Sequence, residues 1–265
     1  MTKRNPRKSK NRDDGQRHSR AHPDSGDGTA WLYGLHAVSA ALDNARRTVH
    51  RLVATRVGEE KLASAEQSPV RAEIVDRDTL EALLPPGAVH QGVALHVAPL
   101  PDVALEDVME RAPEAACIVV LDQVTDPQNV GAIMRSAAAF GATAIVLQDR
   151  HAPPVTGALA KAASGAVESL PLVRVTNLSR ALDVLKSGGY WCVGLDGDAD
   201  TALSDIKLDG RIGLVMGAED SGLRRLTAEN CDALARLPTS PTFGTLNVSA
   251  ASAAALYEVA RSRKT

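Results

Sequence analysis

Residues 119–142 read VVLDQVTDPQNVGAIMRSAAAFGA, and their reading decides the fold. Together with Cys117 and Ile118, the first residues form a continuous β-branched run, the signature of a strand buried on both faces of a parallel sheet. The chain then turns through Asp126 and Pro127. An aspartate can cap a helix, and proline fits the first helical turn, where its missing N–H costs nothing. Val130, Ile133, Met134, Ala137 and Ala138 follow at helical spacing and form one apolar stripe. Arg135 lies off that stripe, and Asn129 sits in the first turn. Open α/β sheets place their ligands at the carboxyl ends of parallel strands, and a helix N-terminus favours an anionic partner. Alternatively, Asn129 is a capping residue and Arg135 an ordinary solvated arginine.

Two later stretches repeat the pattern. IGLVMGAEDSGLRRL (212–226) is a second buried strand entering an acidic turn, with Glu219 between Gly217 and Gly222. LARLPTSPTFGTLNVSAASAAALYE (234–258) sets a Pro/Gly/Thr loop before a helix, with Thr245 and Asn247 as capping candidates. No G-x-G-x-x-G fingerprint follows a strand, and neither a phosphate-binding G-x-x-x-x-G-K-[ST] loop nor a G-x-S-x-G nucleophile elbow occurs. The residues alone thus indicate an α/β enzyme with a site built from loops at strand ends.

Strand and helix patterns alternate from Cys117 onward, which implies a parallel sheet covered on both faces. Before it, a helix is expected over 32–44, strands over 49–56 and 71–76, a helical RDTLEALLP (77–85), and HQGVALHVAPLP (90–101) closing a small α/β unit. The division expected is a basic disordered tail at 1–28, a small domain at 29–98, a linker at 99–114 and a larger domain at 115–265.

Composition narrows the function. The net charge of −2 conceals an asymmetry, because residues 1–28 hold eight Lys/Arg against four Asp/Glu and the remainder holds 22 against 28. The tail is suited to sequence-independent attraction to phosphates, or is simply solvated. The three cysteines form no C-x-x-C pair, so neither a metal site nor a disulfide framework is expected. No apolar run approaches the roughly 20 residues of a membrane-spanning helix, and a cytoplasmic protein is expected.

The three stretches, in this order, resemble the motifs of the SpoU (TrmH-type) branch of the knotted SPOUT RNA methyltransferases, and the likeness runs from Tyr33 to about Ala260. LYGLHAVSAAL (32–42) and HQGVALHV (90–97) are similar to the ribosomal-protein-L30e-like substrate domain of the subgroup that methylates a guanosine ribose in 23S rRNA. The resemblance implies a C-terminal α/β knot domain, S-adenosylmethionine as methyl donor, RNA as substrate, and a homodimer formed through the C-terminal domain. It implies catalytic roles for Asn129, Arg135, Glu219, Thr245 and Asn247, and cofactor contacts at Gly217, Leu237 and Leu246. Thr245 and Asp220 depart from the family serine and glycine. Because guanidinium is not deprotonated in proteins, Arg135 is expected to orient the nucleotide and stabilise alkoxide charge, its fork held by Asn129 and Glu219. A tRNA ribose methyltransferase and a non-catalytic ribosome-assembly protein are the competing readings.

Overall fold

The computed structural model describes residues 28–62, 70–240, 242 and 246–263. The expectation for the basic tail lies outside these residues, as does Thr245.

Two sheets organise the chain. The amino-terminal elements are β1 (Ala30–Tyr33), α1 (Leu35–Asp43), β2 (Val49–Ala54), α2 (Arg56–Lys61), β3 (Ala72–Ile74), α3 (Arg77–Ala82) and β4 (Val93–Val97). Their sheet runs β1-β4-β2-β3, with β4 antiparallel to both neighbours and β2 parallel to β3. The helix expected over 32–44 is preceded by β1: Leu32 and Tyr33 belong to the strand, and Gly34, at φ +88°, makes the break.

The carboxy-terminal elements are α4 (Leu105–Glu110), β5 (Cys117–Leu121), α5 (Pro127–Ala139), β6 (Ala144–Gln148), α6 (Gly157–Ala163), α7 (Ala166–Ser169), β7 (Leu172–Val175), α8 (Leu178–Ser187), β8 (Trp191–Leu195), β9 (Ile212–Met216), α9 (Arg225–Glu229), β10 (Ala233–Ala235) and α10 (Val248–Ser262). Their sheet is all parallel, in the order β10-β8-β9-β5-β6-β7. Every residue of β5 and β9 is buried, as a strand covered on both faces requires. The stretch expected to be a linker holds α4, whose Leu105 and Val108 are buried against α8.

The two sheets share one apolar core. Leu32, Leu52 and Leu95 from the first pack in the same cluster as Val119, Ile133 and Leu159 from the second, through α1, α6 and α7. The seam also buries charge. Glu168 of α7 receives Arg47 Nη2 at 2.6 Å and Nε at 3.2 Å, together with Asn44 Nδ2 at 2.8 Å. Side-chain exposure of this ion pair is 2 % and 6 %.

The cysteines are structural. Burial pushes the Cys117 thiol up to about 11 and those of Cys192 and Cys231 to about 12, with Asp232 adding to the last two. At pH 8 their thiolate fractions stay below about one part in a thousand. Iodoacetamide at that pH should therefore leave the native protein unmodified; rapid labelling, read by intact mass, would contradict this packing.

Candidate active site

The stretch that opens the larger sheet folds as its residues dictate. Asp126 caps α5 by accepting from the Gln128 N–H at 3.1 Å, and Pro127 occupies the first turn. Val130, Ile133, Met134 and Ala137 are buried, whereas Ala138 is only partly so. A second contact was not visible in the stripe: Gly131 lies against α6, where a Cβ would sit 2.4 Å from the Leu159 carbonyl oxygen.

Three polar turns meet beyond the carboxyl ends of β5 and β9. Asn247 caps α10, its Oδ1 accepting from Ser249 N at 2.9 Å and from Ser249 Oγ at 2.6 Å. Its Nδ2 donates to Asn129 Oδ1 and to Glu219 Oε2, each at 3.1 Å. One amide thus ties α5, the β9 turn and α10 together, and the four contacts fix which side of it carries the nitrogen. The trio stays accessible, since Asn129 is half-buried and Glu219 and Asn247 are exposed.

The β9 turn is made by close backbone approach. Ala218 and Gly222 exchange hydrogen bonds of 3.1 and 2.9 Å, which presents Glu219, Asp220 and Ser221 at the tip. A Cβ on Gly217 would lie 2.1 Å from the Gly222 carbonyl carbon, so only glycine fits there. The left-handed residue is Gly222 (φ +63°), not Asp220; aspartate at 220 therefore carries no backbone penalty.

Asp122, immediately after β5, holds this turn in place and was missed in the sequence. It is fully buried and accepts from Arg224 N at 3.0 Å and from Arg224 Nε at 2.7 Å. The only sequence signal was a carboxylate ending an apolar strand. Arg224 also reaches Gln148, and Arg225 pairs with Glu229, so both arginines are engaged within the chain.

Arg135 stands apart from the trio. It is exposed on α5 and lines a shallow cavity with Asp43 and Asn44 of α1 and with Ser164, Gly165 and Glu168 beside α7. Six residues of helix separate it from Asn129, roughly 9 Å along the axis and about a third of a turn around it. Among the described residues no hydrogen bond or ion pair holds its guanidinium. The fork is therefore not fixed by Asn129 and Glu219 in this arrangement, because Glu219 is engaged by Asn247.

Leu237 is half-buried against the core, and Leu246, beside Asn247, is 45 % exposed. His90 is buried, and its Nδ1 accepts from Gly92 N at 3.1 Å. No cluster of His, Cys, Asp or Glu among the described residues could hold a metal ion.

The SpoU rRNA Methylase family model matches residues 116–257, and the model for RNA 2′-O ribose methyltransferase substrate binding matches residues 31–103. The chain belongs to the SpoU rRNA methylase family. Among similar SpoU proteins, the 23S rRNA (guanosine-2′-O-)-methyltransferase RlmB of Coxiella burnetii is 40 % identical over 241 residues, and that of Pseudomonas putida 38 % over 241 residues. Each alignment covers 88 % of this chain and 96 % of the relative. The AdoMet-bound rRNA methyltransferase of Sinorhizobium meliloti superposes with a TM-score of 0.73 at 26 % identity, covering 88 % of this chain and 87 % of that one.

The SpoU turn after β9 gives a direct test of the site. Gly217→Ala should lower stability by about 1–3 kcal/mol through overpacking and weaken S-adenosylmethionine binding. Calorimetric titration showing unchanged affinity would separate this turn from the cofactor.

Proposed function

We propose that this chain transfers a methyl group from S-adenosylmethionine to the ribose 2′-hydroxyl of a guanosine in 23S rRNA. The observation that carries the reading is the Asn129–Asn247–Glu219 network, which joins three turns at the ends of parallel strands; Asn129 shares its helix with Arg135, whose guanidinium has no partner among the described residues. The relatives at 38 and 40 % identity, aligned over most of both chains, support the choice of substrate.

Backbone groups at Gly217, Leu237 and Leu246, with the exposed aliphatic side chain of Leu246, are proposed to hold the cofactor. When bound, it supplies an electrophilic methyl on a sulfonium centre. The protein's part is positioning and charge. Asn129, Glu219 and Asn247 hold the turns at fixed spacing, and Arg135 offers two parallel N–H donors to a ribose alkoxide or its phosphate. As a hydrogen-bond donor without acceptor capacity, the guanidinium stabilises developing negative charge. Thr245, outside the described residues, is proposed to orient the hydroxyl as the family serine would.

The same reading includes a homodimer formed through α10 and a knotted passage of the carboxy-terminal chain. One side of α10 is core: Ala255, Leu256 and Val259 are buried and pack toward α5. Ala250, Ala254 and Tyr257 on its other side are exposed. Small side chains there permit close helix approach. Light scattering at micromolar concentration should give twice the chain mass, and Ala254→Glu should give the single chain mass; a wild-type monomer would contradict the interface.

The function is tested by incubating the protein with labelled S-adenosylmethionine and either total rRNA or total tRNA. Label in 23S rRNA supports the proposal. Label confined to tRNA moves the activity to the tRNA branch, and cofactor binding without transfer to RNA or precursor particles assigns a binding role.

A further inference from the structure

The amino-terminal sheet has one face that is only half covered. On it, β1 contributes Trp31 and Tyr33, β4 contributes Ala94 and His96, and β2 contributes Arg51 and Val53. The register pairs Trp31 with His96, His96 with Arg51, and Ala94 with both Tyr33 and Val53. The row of Tyr33, Ala94 and Val53 is buried in a cluster with Leu80 of α3 and Leu84 just beyond it. The next row is Trp31–His96–Arg51, in which Trp31 packs one edge against that cluster and stays partly exposed while Arg51 is exposed.

This outer row is assembled as a stack of π-surfaces. Trp31 and His96 stack with centroids 4.9 Å apart and planes 28° from parallel. Arg51 places its guanidinium carbon 5.6 Å from the Trp31 centroid and is held by Glu73 at 2.7 Å. A register shift between Val49 and Arg51 turns the intervening His50 to the same face, where its ring lies 5.4 Å from that of His96. Bulges of this kind re-aim side chains at sites, and here one adds a fourth planar group to the row. His50 and Arg51 are exposed, and Trp31 and His96 partly so.

We propose that Trp31, His50, Arg51 and His96 form a platform on which an unpaired base of the RNA substrate stacks; this rests on the reading of the chain as an RNA methyltransferase. Single-stranded RNA is recognised by planar side chains that stack on splayed bases, with a cation beside them for the backbone. Of the seven aromatic residues in the chain, one is placed here in an open sheet, next to a guanidinium and two imidazoles. The row also lies within the residues that match the substrate-binding model.

Trp191→Phe leaves Trp31 as the only indole, which makes its fluorescence a direct probe. Titration with single-stranded oligoadenylate should quench it saturably, and a poly(A)·poly(U) duplex should not. His50→Ala and Arg51→Ala, both at exposed positions, should each weaken oligoadenylate binding and raise KM for 23S rRNA about tenfold or more, with kcat and melting temperature unchanged. Absent quenching, together with unchanged KM in both variants, overturns the platform while leaving methyl transfer to 23S rRNA intact. Quenching by oligoadenylate in a protein that methylates no RNA would keep the platform and overturn the activity instead.

Discussion

Exchange of Arg135 for lysine is expected to lower methyl transfer about 100-fold to 1,000-fold while cofactor affinity and melting temperature stay unchanged. Arg135 is exposed and makes no hydrogen bond or ion pair among the described residues, so folding gains little from it. Its value lies in what it presents. A guanidinium offers a planar pair of donors, whereas an ammonium is a strongly hydrated point charge that cannot reproduce the pair. Single-turnover kinetics with saturating S-adenosylmethionine would read the loss directly, and near-normal turnover would remove Arg135 from the chemistry. The shallow cavity it lines includes Asp43 and Asn44 of the amino-terminal half. Both halves of the chain therefore border Arg135.

The second large effect concerns the seam between the two sheets. Glu168→Ala should destabilise the protein by about 3–5 kcal/mol, because it leaves the Arg47 guanidinium buried without its carboxylate. Asn44 would lose its 2.8 Å partner in the same step. The double variant Arg47→Met with Glu168→Gln should recover much of that loss, since desolvating the two charges consumes most of what their attraction returns. Denaturant melts of wild type, Glu168→Ala and the double variant read both changes. Equal stability of Glu168→Ala and wild type would show that the seam is held by apolar packing alone.

How much of this was legible in the sequence follows from the kind of interaction involved. The parallel sheet was readable because β5, β6, β8 and β9 are continuous apolar runs, and α5 because its cap, proline and stripe are local signals. Several elements were not recovered as they stand, among them β1, read as the start of a helix, α4, read as linker, and β10, only three residues long. Each of these three owes its state to a distant partner: β1 to β4, α4 to α8, and β10 to β8.

The site divides along the same line. Asn129, Glu219 and Asn247 were nominated through resemblance, and the structure brings the three within hydrogen-bond reach across 118 residues. Asp122 passed unnoticed because its partner, Arg224, is 102 residues away. The open row on the amino-terminal sheet depends on a register shift that no local pattern announces.

The most direct test of the central claim is chemical mapping of the transferred methyl. A methyl on a ribose 2′-oxygen removes the nucleophile that alkali uses to cleave the adjoining phosphodiester. 23S rRNA incubated with the protein and S-adenosylmethionine should therefore show one new alkali-resistant linkage, on the 3′ side of a guanosine, and release 2′-O-methylguanosine on full digestion. Methyl found on a base, with every linkage still cleaved by alkali, would contradict it.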